Sequence, residues 1–328
     1  MQNNPIAIIG SGIAGLAAAR TLAEAGRAVQ LFDKSRGSGG RLASKRSSIG
    51  DLDIGAPYFT ARDAHFQAAV AQWQAAGWVA PWTPALYRHQ DGHLLRVDND
   101  PPRWVGTPRM SALTRGLLGD LPIRFNCRIT EVAASAGHWH LLDTDGNRHG
   151  PFSQVIIAVP APQACVLLGA APSLAARAAS VSMHPTWTVV LGFRQPLPSA
   201  VEACFVRGAP LDWLARTSSK PDRDSGMDSW VLHADSAWSE RHRELPATQV
   251  IARLYEAFAA TIDCPLPPSD FSLAHRWLYA RPAQPLSPGV LADPEAGLYA
   301  CGDWCRSGRV EDAWLSGRDA ALQLLERS

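Results

Sequence analysis

Residues 5–15 read PIAIIGSGIAG, and this stretch decides the fold of the chain. The apolar run at 5–9 predicts a short buried strand, and the apolar residues at helical spacing over 13–25 predict a helix. The turn between them carries a GxGxxG pattern. A strand, this glycine pattern and a helix in that order predict a dinucleotide-binding βαβ unit.

Each glycine of the pattern has its own expected role. Gly10 allows the tight turn, Gly12 lets a pyrophosphate approach the backbone, and Gly15 lets the helix pack closely on the strand. The first helical residues, Ile13 and Ala14, lie where free N–H groups and the positive end of the helix dipole favour a phosphate.

A second apolar strand is predicted at 29–32 and ends in Asp33. An acid about twenty residues after the glycines is placed to accept hydrogen bonds from adenosine ribose hydroxyls. The alternative is a glycine-rich turn followed by an ordinary surface aspartate. Strand, glycines, helix and acid in register favour the nucleotide site.

Composition limits the protein class. The chain has 328 residues, of which 46% are hydrophobic, so two lobes with sizeable cores are expected. A formal charge of +1 argues against nucleic acid or an anionic membrane as the main partner. No apolar run reaches transmembrane length, and a strand beginning at the fifth residue leaves no room for a signal peptide. We therefore expect a cytoplasmic protein.

The cysteines and histidines do not predict a metal site. Six cysteines are present without CxxC or Cys/His ligand spacing, so we expect them to be reduced and mostly buried. His138 and His140 alternate on a predicted strand, where the alternatives are a metal pair and exposed hairpin histidines, and the second is favoured. No metal is predicted.

Residues 34–41 read KSRGSGGR and form no regular element, because glycine there costs too much backbone entropy. A loop that presses against a flat or anionic group explains the pattern, with Arg36 and Arg41 offering planar donors to a pyrophosphate. A flexible surface loop is the alternative. Further on, Gly55 and Ala56 would let the backbone approach a ring system, and the side chains of Tyr58 and Phe59 would line its sides.

The sequence after residue 153 indicates a second lobe, followed by a last segment that belongs to the first lobe again. Residues 154–159 form a continuous apolar strand, typical of a sheet covered on both faces. From about 164 to 285 prolines and tryptophans become common, which indicates a second lobe on a mixed sheet. A last short strand at 297–301 leads into Gly302 and Asp303 and then a helix, which repeats the opening arrangement.

Taken together, these residues resemble the flavin-containing amine oxidase superfamily. Within it, the stretches 32–41, 53–62, 274–280 and 301–305 are similar to the bacterial renalases, and the resemblance covers the whole chain. It implies an α/β fold, with an FAD-binding Rossmann-like domain of glutathione-reductase type and a second, mixed-sheet substrate domain. The FAD-binding domain is expected to be discontinuous, at 1–75, 103–162 and 286–328, with the substrate domain at 76–102 and 163–285.

The resemblance also assigns residues to FAD. Asp303 inherits a contact with the ribityl–phosphate part, and the strand at 128–132 resembles the one whose backbone meets the adenine. The predicted cofactor residues are Gly10, Gly12, Ile13, Ala14, Gly15, Asp33, Lys34, Arg36, Gly40, Arg41, Ala56, Pro57, Tyr58, Phe59, Arg128, Ile129, Asp303, Arg309 and Val310. Because no Ser-Gly-Gly-Cys-type segment precedes the last strand, the FAD is expected to be non-covalent.

The implied reaction is oxidation of the 1,2- and/or 1,6-dihydronicotinamide isomers of NAD(P)H to NAD(P)+, with O2 reduced to H2O2. Loss of hydride from a dihydropyridine needs no general base, so no acid–base residue is predicted. The predicted substrate residues are Tyr58, Thr60, Arg96, Trp187, His275 and Trp304, with Arg96 assigned to a substrate phosphate.

Three other functions stay open. A flavin amine oxidase acting on a small soluble amine is the main alternative. A desaturase or porphyrinogen oxidase is disfavoured because no apolar membrane-docking helix is visible. A flavin-binding sensor without turnover is the third, and the oligomeric state is left open.

Overall fold

The computed structural model describes residues 4–98, 101–208, 210–223 and 226–327. The strands are β1 (Ile6–Ile9), β2 (Val29–Phe32), β3 (Ser44–Ser47), β4 (Gly50–Asp53), β5 (Val79–Trp82), β6 (Leu86–Gln90), β7 (His93–Arg96), β8 (Arg103–Gly106), β9 (Ile123–Arg124), β10 (Ile129–Ser135), β11 (His138–Asp143), β12 (Arg148–Phe152), β13 (Gln154–Ile157), β14 (Met183–Phe193), β15 (Ala203–Val206), β16 (Leu211–Arg216), β17 (Asp228–Ala234), β18 (Phe271–Pro282), β19 (Leu291–Asp293) and β20 (Leu298–Ala300). The α-helices are α1 (Ile13–Glu24), α2 (Ala64–Ala75), α3 (Ser111–Leu118), α4 (Ala161–Leu167), α5 (Pro172–Ala179), α6 (Ser236–Arg241), α7 (Ala247–Ile262) and α8 (Val310–Leu325). Short 3-10 turns cover Gly40–Leu42, Thr217–Ser219 and Asp303–Cys305.

The chain divides into two compact units. The first unit comprises Met1–Arg41, Thr114–Met183 and Arg281–Ser328, and the second comprises Leu42–Leu113 and His184–Ala280. The units separate residues 42–75 from the nucleotide-binding strands with which the sequence analysis grouped them. The predicted assignment of FAD and substrate domains stays a prediction.

The first unit is built on a mostly parallel sheet with the strand order β19-β20-β13-β1-β2-β9. β1 pairs in parallel with β2 on one side and β13 on the other, so that Ile8 lies opposite Leu31 and Ile156. These three side chains are fully buried, as expected for a sheet covered on both faces. The predicted strand at 154–159 ends at Ile157, because Pro160 already caps α4.

The second unit is built on a mixed sheet with the order β18-β14-β17-β16-β15-β6-β7. β15 pairs in parallel with β6, whereas β14, β16 and β17 pair antiparallel. α7 buries Val250, Leu254 and Phe258, which follow one another at a spacing of one helical turn. The ring of Phe258 lies 4.9 Å from that of Trp230, at the centre of this core.

Local sequence signals set several boundaries. The carboxylate of Asp63 accepts hydrogen bonds from the backbone N–H groups of His65 and Phe66, so Asp63 is the N-cap of α2. β6 and β7 pair antiparallel and form a hairpin around Asp91. The Rossmann-like α/β fold with a second, mixed sheet is confirmed.

No helix among the described residues is long and apolar enough to cross a membrane.

Candidate functional site

The three glycines of the GxGxxG turn lie in different surroundings. Gly10 has φ +104°, and a Cβ atom there would lie 2.5 Å from the carbonyl oxygen of Ala158. A Cβ atom at Gly15 would lie 1.9 Å from the carbonyl oxygen of Gly10, so α1 approaches the turn as closely as glycine permits. At Gly12 a Cβ atom would meet nothing within 4 Å. The turn is therefore packed against the protein at two glycines and open at the middle one.

The open glycine is also the start of α1. Gly12 is the N-cap residue, with extended backbone and no side-chain cap, and the first turn carries no acidic residue. The N–H groups at Ile13 and Ala14 and the positive end of the helix dipole are thus available to an anion. The open space at Gly12 and the uncapped helix start fit the pyrophosphate of a dinucleotide.

Asp33 follows β2 and is 8% exposed. Its Oδ2 atom accepts hydrogen bonds from the N–H and hydroxyl of Ser11, at 2.7 and 2.6 Å, and its Oδ1 atom accepts one from the N–H of Ser35 at 2.7 Å. These three donors occupy most of the roughly four acceptor positions of a carboxylate and leave room for one further donor. The carboxylate is thereby fixed beside the glycine turn, and its contact with a ribose stays a prediction.

The loop after Asp33 packs on the glycine turn. The N–H of Gly39 donates to the carbonyl oxygen of Ser11 at 3.0 Å, and Gly39 forms a bridge with Gly12. Lys34, Arg36 and Gly40 are exposed.

Arg41, at the end of this loop, has a partner that the sequence analysis did not predict. Its Nη1 and Nη2 atoms donate to the two carboxylate oxygens of Asp303, at 2.8 and 2.5 Å. Such a two-point ion pair fixes the guanidinium in one orientation. The predicted contacts of Arg41 and Asp303 with FAD stay predictions, and any such contact must be made from this paired state.

Asp303 lies between β20 and α8 and is buried. The next residue, Trp304, is fully buried, and its Nε1–H donates to the carbonyl oxygen of Val159 at 3.0 Å. Trp304 therefore lies in the core of the first unit. Arg309 is the N-cap residue of α8, and its N–H donates to Asp312, while Val310 begins the helix.

The segment assigned to adenine begins β10. Arg128 is exposed, and its carbonyl oxygen accepts from the N–H of Thr144, whereas Ile129 is buried. The preceding N–H, of Cys127, donates to the carbonyl oxygen of Asp33 at 2.9 Å. The structure thus brings the predicted adenine segment next to the predicted ribose acid.

The other predicted ring-contacting residues lie in the second unit, after β4. Ala56, Pro57 and Tyr58 are half-buried, and buried Phe59 exchanges two backbone hydrogen bonds with Trp104. The hydroxyl of Thr60 accepts from Arg62.

Tyr58 belongs to a cluster of aromatic rings. Its ring centre lies 5.1 Å from that of Trp213 and 6.3 Å from that of Trp82. The guanidinium of Arg103 lies 5.1 Å from the centre of the Tyr58 ring and 5.7 Å from that of Phe205. We call these five residues the aromatic–arginine cluster.

The remaining predicted substrate residues are more scattered. Trp187 is 6% exposed, belongs to the core of the second unit and donates its Nε1–H to the carbonyl oxygen of His242. Arg96 is exposed at the end of β7. The core position gives Trp187 a structural role, and a contact of either residue with substrate stays a prediction.

His275 on β18 is half-buried and packs edge-on against Trp277, with ring centres 4.6 Å apart. Burial, together with the nearby charge of Lys45, lowers the pKa of His275, so the imidazole is neutral at pH 7. The Nε1–H of Trp277 donates to the carbonyl oxygen of Ile54 at 2.8 Å. The strand carrying His275 is thereby joined to the segment that leads to Tyr58.

The sequence analysis missed a buried ionic cluster in the second unit. Asp53 accepts from the Nζ of Lys220 at 3.2 Å and from the guanidinium of Arg223 at 2.7 Å, and its other oxygen accepts from the N–H of Met110. Burial alone would raise the pKa of Asp53, but the two cations hold it well below its usual value. The only local signal was a charged residue, Asp53, inside an apolar run.

Two family models match the sequence. One, described as an NAD(P)-binding Rossmann-like domain, matches residues 8–73, and the other, described as flavin containing amine oxidoreductase, matches residues 59–325. The fold is similar to that of a candidate protoporphyrinogen oxidase from Exiguobacterium sp. 255-15, with a TM-score of 0.80 and 13% identity over 100% of both chains. It is also similar to wild-type putrescine oxidase bound to putrescine, with a TM-score of 0.72 and 14% identity over 99% of each chain.

At these identities the solved structures establish the fold alone. The cofactor that the two family models indicate is FAD, held without a covalent bond, and the open glycine turn at the start of α1 fits its pyrophosphate. The second family model covers most of the sequence, and the chain therefore belongs to the flavin-containing amine oxidoreductase family.

Proposed function

We propose that this FAD-dependent oxidoreductase oxidises the 1,2- and/or 1,6-dihydronicotinamide isomers of NAD(P)H to NAD(P)+, with O2 reduced to H2O2. Such an enzyme would return misformed dinucleotides to the useful pool. The proposal rests on the sequence resemblance to the bacterial renalases and on the buried charges of the second unit.

The choice of a dinucleotide over an amine as substrate rests on the buried charges of the second unit. Among the described residues of the second unit, the carboxylates of Asp53 and Asp228 are buried. Asp228 is paired with Arg216. Arg103 is also buried and lies beside aromatic rings. Asp53 is paired with two cations, Lys220 and Arg223, so this buried cluster carries a net positive charge, which disfavours a cationic amine and favours a planar, neutral ring on an anionic dinucleotide.

FAD, when bound, accepts a hydride and passes the electrons on to O2. The residues of the first unit would hold it: the turn at Gly12 and the start of α1 would bind the pyrophosphate, and Asp33 would accept from the ribose. The fixed carboxylate of Asp33 and the two-point Arg41–Asp303 pair keep these groups in place without rearrangement on binding.

The protein has no proton to remove in this reaction, because hydride loss from a dihydropyridine yields an aromatic pyridinium directly. Its task is to orient the substrate and exclude competing reactions. A neutral His275 suits this, since it can donate or accept one hydrogen bond without adding charge beside a ring that becomes a cation. Aromatic side chains such as Tyr58 offer flat faces for stacking.

The alternative is a flavin amine oxidase acting on a small soluble amine. The description of the matching family model favours it. A neutral amine could lie between aromatic rings, and the aromatic–arginine cluster supplies such rings.

Anaerobic stopped-flow mixing distinguishes the two. We expect the flavin absorbance to bleach rapidly with the 1,2- or 1,6-dihydro isomers of NADH or NADPH, and not with putrescine or benzylamine. With oxygen present, one H2O2 should form per isomer oxidised. Bleaching by amines alone would establish the alternative, and no bleaching by either class would exclude both.

Arg96 tests the assignment of a substrate phosphate. Arg96→Gln should raise the KM for the dinucleotide isomers about tenfold and leave kcat unchanged, because the lost contact is the same in ground and transition states. Arg88→Gln, at an exposed arginine on the neighbouring strand, is the matched control. Equal KM values for the two variants would remove Arg96 from the substrate site.

A further inference from the structure

Three side chains of different chemistry converge at one point in the first unit. Cys127 follows β9, Asp143 ends β11, and His149 lies on β12. The Sγ of Cys127 lies 3.7 Å from the Oδ2 of Asp143 and 3.6 Å from the Nε2 of His149, and these last two atoms are 2.9 Å apart. None of the three residues has a role in the proposed oxidation.

Two of the three distances are close to the edges of a tetrahedral metal site, and the third is shorter. With bonds of about 2.3 Å to sulfur and about 2.0 Å to nitrogen and oxygen, a tetrahedron has ligand-to-ligand edges of about 3.3 to 3.6 Å. The two edges that involve Cys127, at 3.6 and 3.7 Å, lie at or just above the upper end of this range. The contact between Asp143 and His149 would lengthen by a few tenths of an ångström when a metal replaced the shared hydrogen.

The same geometry does not suit a nucleophile–base–acid triad. In a triad the acid orients one ring nitrogen of the histidine, and the nucleophile lies at the other. Here both Cys127 and Asp143 face Nε2, so the imidazole cannot relay a proton from the thiol to the carboxylate. Convergence of three donor atoms on one point is what a cation requires.

The ligands are also held in place. The Oδ1 of Asp143 accepts from the N–H groups of Asp145 and Asn147, both at 2.9 Å, which directs Oδ2 towards the cluster. The ring of His149 packs on that of Phe32, with centres 5.1 Å apart. Cys127 is half-buried, so the cluster is open to solvent on its side.

We propose that Cys127, Asp143 and His149 bind a divalent cation of the zinc type, with solvent as the fourth ligand. Thiolate and imidazole ligands select zinc over magnesium or calcium, which prefer oxygen. On binding, Cys127 releases its thiol proton and His149 coordinates through Nε2 as the neutral Nδ1–H tautomer. One thiolate and one carboxylate then balance the charge of the cation.

Titration of the chelator-treated holoprotein with zinc chloride, against a chromophoric competitor, tests the site. We expect one zinc per chain, with affinity reduced about 100-fold in Cys127→Ser and in His149→Gln. The matched controls are Cys165→Ser, at the other half-buried cysteine, and His138→Gln, at an exposed hairpin histidine. Both controls should bind zinc as the wild type does.

A second readout separates ligation from folding. Zinc-edge X-ray absorption of the loaded wild type should show one sulfur neighbour at about 2.3 Å and nitrogen or oxygen neighbours at about 2.0 Å. Melting temperatures of the metal-free variants identify any variant that fails to fold. If either Cys127→Ser or His149→Gln does not fold, the zinc affinity of the other one tests the proposal. Absence of a sulfur neighbour, or equal zinc affinity in the folded ligand variants and the wild type, would overturn the proposal.

Discussion

Single glycines of the opening turn contribute in separable ways. Gly15 is required by packing, since a methyl group there would overlap the carbonyl oxygen of Gly10. Gly12 has no such neighbour and has a φ of −71°, which any residue can adopt. Packing therefore explains the glycine at position 15 but not the one at position 12, where a requirement from binding stays a prediction.

Gly12→Ala and Gly15→Ala should accordingly differ. We expect Gly12→Ala to change the unfolding free energy of the FAD-free protein by less than about 0.5 kcal/mol, while FAD affinity falls at least about tenfold because the methyl group meets the pyrophosphate. Gly15→Ala should cost about 3 kcal/mol through overpacking. Urea unfolding and flavin fluorescence titration measure the two effects. Full FAD affinity in Gly12→Ala would show that the pyrophosphate does not approach this glycine.

The cysteines differ in reactivity because they differ in burial. Desolvation raises the pKa of Cys204 and of Cys301 to about 12, so neither forms the reactive thiolate at neutral pH. We expect Ellman's reagent at pH 8 to modify Cys165 and, more slowly, Cys127 in the native protein, and all six cysteines after denaturation. Rapid native modification of Cys301, located by peptide mass spectrometry, would contradict the buried position of β20.

At the scale of elements, β4 is joined by a buried ion pair to a residue far along the chain. Asp53, its last residue, binds Lys220, which lies 167 positions later and whose side chain is fully buried. A buried cation without its partner is costly, so the carboxylate is required for the segment after β16 to lie where it does.

Asp53→Asn should therefore destabilise the protein by about 3–5 kcal/mol in urea unfolding at pH 7. Because the pKa of Asp53 is held below its unfolded value, its contribution is present above about pH 4 and is lost as the pH falls further. The gap between wild type and variant should shrink accordingly in acid. Asp51→Asn, on the same strand and in a partly exposed ion pair with Arg109, is the control and should cost less than about 1 kcal/mol.

A feature could be predicted from the sequence when the residues that form it lie next to one another in the chain. β1, α1 and β2 were predicted almost to the residue, because strand, turn and helix signals lie next to one another. The Asp53–Lys220 pair and the Arg41–Asp303 pair join distant residues and leave no local pattern. The cluster of Cys127, Asp143 and His149 escaped notice for the same reason, since its members come from three separate segments.

At the scale of the whole molecule, the first unit is assembled from both ends of the chain. β20 lies beside β13, and α8 packs against α1 so closely that a Cβ atom at Gly317 would lie 1.9 Å from the carbonyl oxygen of Ala14. The sequence indicated that the last segment returns to the first lobe. It could not indicate how near the two helices lie, because that distance depends on both surfaces together.

Gly317→Ala should separate α8 from α1 and destabilise the protein by about 2–3 kcal/mol, with weaker FAD retention on gel filtration. Gly169→Ala is the matched control in the same unit, since its added methyl group would meet only one atom, at an ordinary distance of 3.6 Å. An unchanged melting temperature in Gly317→Ala would mean that the two helices can move apart without loss.

The Arg41–Asp303 pair spans 262 positions, which has a consequence for synthesis. A ribosome delivers the glycine turn long before Asp303, and the edge of β13 that pairs with β20 stays exposed in the growing polypeptide until residues 298–300 have been made. The pair itself can form only after Asp303 has emerged. Until β20 is in place, that exposed edge is open to pairing with a strand of a neighbouring chain.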